Sequence, residues 1–467
     1  MRMLVTLEFA DAGAKSGQHR VLIIGRNGSA VAHGDIGLSL DDAQTLLGAI
    51  QDEFVEAQAA EIVELARTCP RCGGRLGIKD WVLRRVHTLF GRVLLPSPRL
   101  LSCGCDGSGR RAVSPLKGWL ARCSNELSYQ AAKWGSAHSY RQAAAILHEL
   151  LAVHRSFGYV AVRDAVLRAG VRLDSEPVAA AAPAPWEAPD SEPISLAFDG
   201  GYARRIRKGR PRNFEILTGA VQRRGNIRVF ATAYAGRAVL PDQLRRFITR
   251  ANIPVDARVA LMSDGAGSLM RLKQMLPIRT RFVLDYFHVA MKLRHIDQCI
   301  GRILPRRLSP GGSVFELYDR FAFLRAYLWT GRRDKLERSI DQLIGLLECV
   351  ERGWPDDERS ARMAIFHVCD LSAYLRQNAT GVVDYQSWKR RGWRISTSSV
   401  EATVNRLIGR RLCKSQHMCW SRRGAHLLLQ VRCALLNDEL LEAFRRWFPE
   451  VGGRRLMLPY RWLPHGS

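Results

Sequence analysis

The feature that most constrains the fold is a short pattern that occurs twice, an apolar run closed by an aspartate and glycine. Its first copy is Ile194–Phe198 followed by Asp199, and its second is Arg258–Met262 followed closely by Asp264. Short runs of β-favouring residues that are bounded by glycine predict strands. We therefore predict that both aspartates stand at the ends of strands and that their carboxyl groups converge on one site.

A basic stretch comes directly after the first copy of the pattern. A carboxylate held on a rigid strand beside many cationic side chains is typical of a site for metal and phosphate. The alternative interpretation is an acidic turn residue that precedes a solvated run of charges. The residues of this stretch that we predict to contact nucleic-acid phosphates are Arg204, Arg205, Arg207, Lys208, Arg210 and Arg212.

Further apolar runs surround these two strands and complete a sheet. Phe214–Val221 and Ile227–Tyr234 predict an antiparallel meander with the first strand. Helices over about 241–251 and 269–276 alternate with the second strand and with a further strand over Arg281–Leu284. Strand–helix–strand connections after a meander predict a mixed α/β sheet.

Composition indicates the class of partner and the environment. The chain carries 71 Lys and Arg against 44 Asp and Glu, a formal net charge of +27, which points to a polyanion as partner. No run of about 18 apolar residues occurs, so no membrane span is predicted. The N-terminus has early acidic residues and no small-residue cleavage site, which argues against a secretory signal. The 11 cysteines are mostly scattered singly, the pattern of a reducing cytoplasm.

The N-terminal region contains a second kind of candidate site. A weak alternation over residues 1–35 predicts a hairpin, and the capping pattern SLDD at Ser39 begins a helix that runs to about Leu65. Two cysteine pairs then flank a predicted hairpin over Trp81–Leu95. This layout is typical of a zinc ribbon, in which four thiolates bind one structural Zn²⁺, whereas unpaired structural cysteines are the alternative. The four candidate zinc ligands are Cys69, Cys72, Cys103 and Cys105.

Three short helices are predicted next, over Glu126–Trp134, Tyr140–Leu151 and Tyr159–Arg168. In a basic protein they indicate a helix-turn-helix whose recognition helix, Phe157–Arg168, carries Arg163 and Arg168 toward DNA. A small structural bundle is the alternative. The Ala- and Pro-rich residues 174–193 then predict a semi-extended linker before the larger domain.

A third acidic residue of interest lies beyond a long helical region. Residues 289–384 show only helical periodicity and are interpreted as a helical insertion between two parts of the sheet domain. After it, Ser398 and Glu401 fit a capping box, so one role of Glu401 is to cap its own helix. Because it follows two strand-end aspartates in a basic setting, we predict instead that Glu401 is a third metal ligand. The flanking residues predicted to contact DNA are Arg406, Arg410 and Arg411.

The blocks FDGGYAR, SDGA, LDYFHV and STSSVEATVNRLIGRR resemble those of DDE-type insertion-sequence transposases, and the layout is similar to the ISKra family. The resemblance implies an α/β ribonuclease-H-like catalytic domain with an all-helical insertion, preceded by zinc-ribbon-like and helical (helix-turn-helix-like) modules. It implies Asp199, Asp264 and Glu401 as the catalytic triad. It also marks Asp285 and His288 as auxiliary residues that position DNA or attacking groups, with a buried hydrogen-bonded pair as the alternative.

The resemblance further implies the reaction. Three carboxylates suffice to hold two Mg²⁺ or Mn²⁺ ions, which serve in-line attack on a phosphodiester. The expected activity is cleavage and transfer of double-stranded DNA at the ends of the element, by a cytoplasmic protein that forms a homo-oligomer on that DNA. A ribonuclease-H-like nuclease or resolvase without strand transfer, and a non-catalytic DNA-binding relative, are the alternatives.

The predicted domain organisation separates recognition from chemistry. Base readout is assigned to the modules before the linker, and the catalytic residues all lie after it. The predicted segments are 1–66 (hairpin and helix), 67–123 (zinc-ribbon-like module), 124–173 (helical DNA-binding module), 174–193 (linker), 194–288 (first part of the ribonuclease-H-like core), 289–384 (helical insertion) and 385–467 (last part of the core and C-terminal helices).

Overall fold

The structure is a computed structural model that describes most of the chain. The described residues are 2–7, 19–25, 37–105, 107, 109–117, 122–177, 193–206, 211–223, 226–234, 239–254, 257–265, 272–303, 314–397, 405–413 and 418–452. The chain divides into two compact units, of which the first comprises the residues up to Leu173 and those from Asp438 onward. The second unit comprises Asp174–Asn437. Within the described ranges, no helix is both long and apolar enough to cross a membrane.

The first unit begins with a hairpin and a long helix, both of which the sequence predicts. Strands β1 (Arg2–Leu7) and β2 (His19–Gly25) pair antiparallel. Helix α1 (Leu40–Ala66) starts at Ser39, whose hydroxyl accepts a hydrogen bond from the backbone N–H of Asp42, while the Asp42 carboxylate accepts one from the Ser39 backbone. This capping box satisfies N–H groups that lack a helical acceptor. The predicted helix start is confirmed.

An antiparallel sheet follows α1 and carries the cysteine pairs at its ends. Strands β3 (Ile78–Thr88) and β4 (Gly91–Leu101) form a hairpin that includes the predicted one, and β5 (Ala112–Val113) pairs with the end of β4. Apolar side chains of β4 and α1, among them Val93 and Val55, form the core between helix and sheet.

Three helices then form a small bundle, namely α2 (Asn125–Ala137), α3 (Tyr140–Leu150) and α4 (Tyr159–Ser175). Phe157, which we predicted on the recognition helix, precedes α4 and is buried in the bundle core. Helix α4 also extends past Arg168 into the start of the predicted linker, because Ala169 and Leu173 continue its buried apolar face. The rest of that linker, residues 178–192, lies outside the described part.

The C-terminal helix α12 (Leu440–Trp447) belongs to the first unit. Its Phe444 packs edge to face on Tyr129 of α2, with 5.3 Å between the ring centroids. The Glu126 carboxylate accepts a hydrogen bond of 3.1 Å from the backbone N–H of Gly452. We predicted residues 385–467 as the last part of the core together with C-terminal helices, and of these the described residues 438–452 belong to the first unit.

The second unit is built on a five-stranded mixed sheet. Its strands are β6 (Ile194–Arg204), β7 (Asn213–Arg223), β8 (Asn226–Thr232), β9 (Val259–Ser263) and β10 (Thr280–Leu284). They lie in the order β10-β9-β6-β7-β8, in which β6, β7 and β8 are antiparallel neighbours while β9 runs parallel to both β6 and β10. The mixed α/β sheet predicted from the apolar runs is confirmed.

Helix α5 (Leu240–Arg250) covers one face of this sheet. Its Leu244 and Phe247 pack with Leu196 and Phe198 of β6 in one apolar core. Both β6 side chains point to the same face because side chains alternate along a strand. The alternation read from the sequence therefore identifies the side of the sheet that α5 buries.

Helices make up the remainder of the second unit. They are α6 (Tyr286–Ile303), α7 (Val314–Trp329), α8 (Arg333–Gly353), α9 (Glu358–Gln377), α10 (Tyr385–Arg390), a π-helix over Asn405–Cys413 and α11 (Arg422–Leu436). The apolar stripes that start at Val289 on α6 and at Leu336 on α8 are buried, as their helical spacing predicts.

Candidate active site and metal centre

The register of the sheet places Asp199 and Asp264 beside each other. β6 and β9 run parallel, with Ala197 paired to Met262. Each aspartate lies two residues further along its chain in the same direction, so the two carboxylates stand abreast where β9 ends. Side chains two residues apart point to the same face. The sheet therefore brings together two acidic residues that are distant in sequence.

Asp199 lies within its strand and not at the strand end that we predicted. β6 continues through Gly200 and Gly201 to Arg204 because these residues keep their pairing with β7. Gly201 also leaves room for a neighbour: a Cβ at this position would lie 2.7 Å from Cδ1 of Ile408 on the π-helix. Gly201 thus permits close packing on β6.

The electrostatic environment of Asp199 disfavours its charge. The pKa of Asp199 is raised, first by burial and then by the nearby charge of Asp264, while a hydrogen bond from the Gly200 backbone and the charge of His288 act in the opposite direction. The Gly200 N–H donates to Oδ1 of Asp199 over 2.7 Å. Neighbouring carboxylates whose charges repel are stabilised when a divalent cation with oxygen preference lies between them.

Asp285 follows β10 directly, as predicted, and is completely buried. Its carboxylate accepts hydrogen bonds from Nδ1 of His288 at 2.7 Å, from the backbone N–H of Phe287 at 2.9 Å, and from both the backbone N–H and the hydroxyl of Thr397. Burial raises the pKa of Asp285, but the hydrogen bonds from His288, Thr397 and Phe287 outweigh burial, and the net shift is downward. Asp285 is thus an internal anchor that orients the partly exposed His288.

Side chains of the helical region hold the loops that follow β9 and β10. The Tyr374 hydroxyl donates to the backbone carbonyl of Asp264 over 2.8 Å, and the Tyr385 hydroxyl donates to that of Leu284 over 3.0 Å. Burial first, and then the charges of Asp264 and Asp285, raise the pKa of Tyr374, so it remains a neutral donor. The sequence analysis missed both tyrosines and Thr397, since no local pattern distinguishes them from packing residues.

Gly265 explains the glycine in the second copy of the pattern. Its φ is +83°, and a Cβ there would lie 2.3–2.5 Å from the side-chain amide of Asn378. A non-glycine residue would therefore be strained in its backbone and would collide with α9's C-terminal cap. The turn that carries Asp264 is fixed against the helical region at this point.

Glu401, the predicted third ligand, lies outside the described residues. The described residues on either side of it are both held at the candidate site. Thr397 is hydrogen-bonded to Asp285, and the π-helix that begins at Asn405 packs its Ile408 on Gly201, two residues from Asp199.

The predicted DNA-contacting residues of the second unit fall into three groups. Arg204 and Arg212 are exposed and Arg205 is half-buried, where the ends of β6 and β7 meet. Arg411 is only 5% exposed and packs on the Trp420 ring, so its role as a surface DNA contact is not supported by its position. The described residues do not include Arg207, Lys208 and Arg210, nor the side chains of Arg406 and Arg410.

In the first unit, Arg163 and Arg168 are exposed on α4. Arg163 pairs with its neighbour Asp164 over 2.8 Å. An exposed pair of this kind contributes little to stability, so Arg163 can exchange its partner for a phosphate at small cost.

The four predicted cysteine ligands form one cluster, with all sulfur atoms within 4.8 Å of one another. The distance from the Cys69 sulfur is 3.2 Å to that of Cys103 and 3.8 Å to that of Cys105. Tetrahedral Zn²⁺ with Zn–S bonds of about 2.3 Å separates its sulfur ligands by about 3.8 Å, so the cluster fits such an ion. Elsewhere in the described ranges, no three or more His, Cys, Asp and Glu side chains are grouped as closely.

The backbone shapes this cluster before any ion binds. Cys69 and Gly74 form a tight turn, with a hydrogen bond of 2.9 Å from the Cys69 N–H to the Gly74 carbonyl, and Gly73 has a φ of +69°. Backbone N–H groups of Cys72 and Arg71 are the main reason that the pKa of Cys69 falls to about 6. A thiol that ionises readily in the centre of four sulfurs is suited to bind a cation.

The comparisons with known proteins leave the family of the chain open, since no protein-family model and no curated protein matches this sequence.

Proposed function

We propose that this chain is a DDE-type insertion-sequence transposase that cleaves and transfers DNA strands with Asp199, Asp264 and Glu401 as its metal-binding triad. The observation that carries the proposal is the parallel register of β6 and β9, which sets Asp199 and Asp264 side by side. A raised pKa at Asp199, caused first by burial and then by Asp264, indicates a pair that benefits from a bound cation.

The described residues on either side of Glu401 support its assignment as the third carboxylate. Thr397 comes four residues before Glu401 and is bonded to the buried Asp285, which follows the strand next to β9. Asn405 comes four residues after Glu401 and begins the helix that packs on β6. Four residues of extended chain span about 14 Å at most, so position 401 is within chain reach of both anchors.

The architecture supports a ribonuclease-H-like core. Three antiparallel strands followed by two parallel strands on the far side of the first are compatible with that fold, and the run of helices α6–α9 is compatible with an all-helical insertion. The cysteine cluster, with a structural Zn²⁺, and the α2–α4 bundle with exposed Arg163 and Arg168 are suited to recognise the ends of the element.

In this proposal each group of side chains has a role that its chemistry suits. Two Mg²⁺ ions, held by hard carboxylate oxygens, would activate the attacking hydroxyl or water and neutralise the leaving oxygen. Asp199, on the central strand and beside Asp264, would be one of the residues that hold these ions. His288 is oriented by Asp285, and its charge acts on Asp199, so it is suited to position the DNA backbone or the attacking group. Arg204 and Arg212 provide phosphate contacts beside the site.

A cleavage and strand-transfer assay on DNA that carries the element's own ends tests the proposal. Asp199→Asn and Asp264→Asn should abolish Mg²⁺-dependent cleavage while they leave DNA binding in a gel-shift assay largely intact. Asp341→Asn, an exposed position on α8, is the matched control and should cleave normally. Equal loss of binding and cleavage in the two site variants would contradict the catalytic role. Cleavage without transfer would instead identify a nuclease or resolvase.

A further inference from the structure

A second candidate site lies at the other end of the parallel strands β9 and β10 from the carboxylates. It is a cleft of about 420 Å³ at the start of β9 and β10, where Val259 pairs with Thr280. Asp264 and Asp285 follow the other ends of these strands. Each strand has five residues, so the two sites are separated by roughly 16 Å along the sheet.

The cleft combines cationic and aromatic side chains. None of its arginines has an ion-pair partner within the described ranges, and no described Asp or Glu lines the cleft. Thr280 also lines the cleft, while its hydroxyl is buried beneath the cleft surface. The four arginines that line the cleft are Arg258, Arg279, Arg281 and Arg391.

The two tryptophans of the cleft, Trp388 and Trp393, are held in place by the end of helix α10. Gly392 has a φ of +79°, and the Trp393 N–H donates back to the Trp388 carbonyl over 3.0 Å. This helix-ending motif folds the chain so that the residue after the glycine returns to the last turn of the helix. The two indole rings are consequently in contact, with 4.9 Å between their centroids, and Arg281 lies 5.2 Å from the Trp388 ring.

We propose that this cleft binds one nucleotide unit of single-stranded DNA, with the base stacked on Trp393 and the adjacent phosphates bound by Arg258, Arg279 and Arg391. Aromatic faces accept any base, and guanidinium groups match phosphate oxygens in charge and geometry. The cleft is too small for a duplex, which is about 20 Å wide, so an unpaired strand is the form of DNA that fits.

This site extends the proposed function and does not depend on it, because its residues are separate from the carboxylates. A strand bound here while the carboxylates act on a phosphodiester would be held at two points separated by roughly 16 Å along the sheet. The same chemistry would also recognise a free nucleotide, and the test includes both sources.

Fluorescence anisotropy of a labelled 15-nucleotide strand, with the full-length protein, tests the site. Trp393→Leu should weaken binding about tenfold, whereas Trp393→Phe, which keeps an aromatic face, should bind nearly as wild type. An abasic strand of the same length should bind wild type about as weakly as the normal strand binds the Trp393→Leu variant. Asp199→Asn should bind the strand normally, so that a failed catalytic assignment and a failed cleft assignment give different results.

The arginines are tested by the salt dependence of the same binding. Arg279→Gln with Arg391→Gln should reduce the slope of log affinity against log salt by about 1.4, since each phosphate contact contributes about 0.7 for a single strand. Arg359→Gln, on the exposed surface of α9 and outside the cleft, is the matched control and should leave the slope unchanged.

Competition by unlabelled nucleoside monophosphate distinguishes the two sources. If the free nucleotide displaces the strand from wild type but not from Trp393→Leu, the cleft recognises base and phosphate in a free nucleotide as well. Displacement only by a strand supports DNA. The proposal is overturned if Trp393→Leu, with an unchanged melting temperature, binds the normal strand as wild type does, or if the abasic strand binds wild type equally well.

Discussion

The packing of Ile408 on Gly201 provides a quantitative test of how the π-helix is fixed on β6. In the variant Gly201→Ala, the new methyl group would lie 2.7 Å from Cδ1 of Ile408, closer than two carbon atoms approach without displacement. Ile408 is 4% exposed, so its terminal methyl has little space into which to move. Overpacking of this kind costs about 1–2 kcal/mol. For a unit of this size we expect the melting temperature to fall by about 2–6 °C.

The neighbouring glycine and the neighbouring isoleucine supply the controls. A Cβ at Gly200 would lie 3.6 Å from its nearest atom, a carboxylate oxygen of Glu215, so Gly200→Ala should have little effect. Ile408→Val removes Cδ1 and leaves the next atoms of the side chain 3.7 and 3.9 Å from the new methyl. Alone it should cost about 0.5–1.5 kcal/mol. In the double variant, the methyl group of Ala at position 201 should fill the space that Cδ1 of Ile408 leaves. We therefore expect the double variant to be about 1 kcal/mol more stable than the sum of the two single effects predicts.

Differential scanning calorimetry of the four proteins measures this coupling, and the DNA-cleavage assay measures its functional consequence. If the π-helix holds Glu401 near Asp199, Gly201→Ala should also reduce cleavage, and Ile408→Val should restore part of it. The reasoning is refuted if Gly201→Ala is as harmless as Gly200→Ala. It is equally refuted if the destabilisation of the double variant equals the sum of the two single variants.

Three further predictions concern the metal, the buried aspartate and the two units. Chelator-washed protein should contain one Zn²⁺ per chain by elemental analysis, and protein without zinc would contradict this prediction. Cys72→Ser should lose the zinc together with end-specific DNA binding, because metal binding supplies folding energy in so small a module. The pKa of Asp285 is lowered in the fold, so its ionised form stabilises the protein above the ordinary aspartate pKa of about 3.9, and this contribution is lost as the pH falls through the lower folded value. Thr397→Val, which removes one donor to Asp285, should therefore lower stability by about 1.5–3 kcal/mol at neutral pH and by less in acid, and a pH-independent difference in melting temperature would be inconsistent with this role. A fragment of residues 174–437 should fold and keep salt-sensitive DNA affinity without preference for the element's ends, and competition binding at matched salt against the full chain would reveal any preference that remains.

Local sequence patterns were sufficient where neighbouring residues decide the structure. The SLDD cap at Ser39 fixes the start of α1 through contacts within one helical turn. The apolar runs around Asp199 and Asp264 predict strands because side-chain alternation and the residues that bound a run are local properties of the sequence. The cysteine spacing predicted a four-sulfur cluster because a hairpin necessarily returns the second pair to the first.

Local patterns are misleading where a distant residue decides the outcome. Glycines 200 and 201 were interpreted as the end of a strand, whereas pairing with β7 extends the strand and Ile408 uses the space that Gly201 leaves. Arg411 was predicted on the surface because it lies in a basic run, yet it is buried against Trp420. In both cases the partner lies outside the local window, so no periodicity could indicate it.

The sequence by itself determined most of the central strands, the start of α1, the acidic residues that follow β9 and β10, and the four members of the cysteine cluster. Only the tertiary structure decided that Asp199 and Asp264 share one register, that Asp285 is an internal anchor for His288 and Thr397, and that two tryptophans and four arginines line one cleft. The physical reason is that hydrogen-bonded turns and side-chain alternation act over a few residues, whereas burial and charge interaction depend on which distant segments pack together.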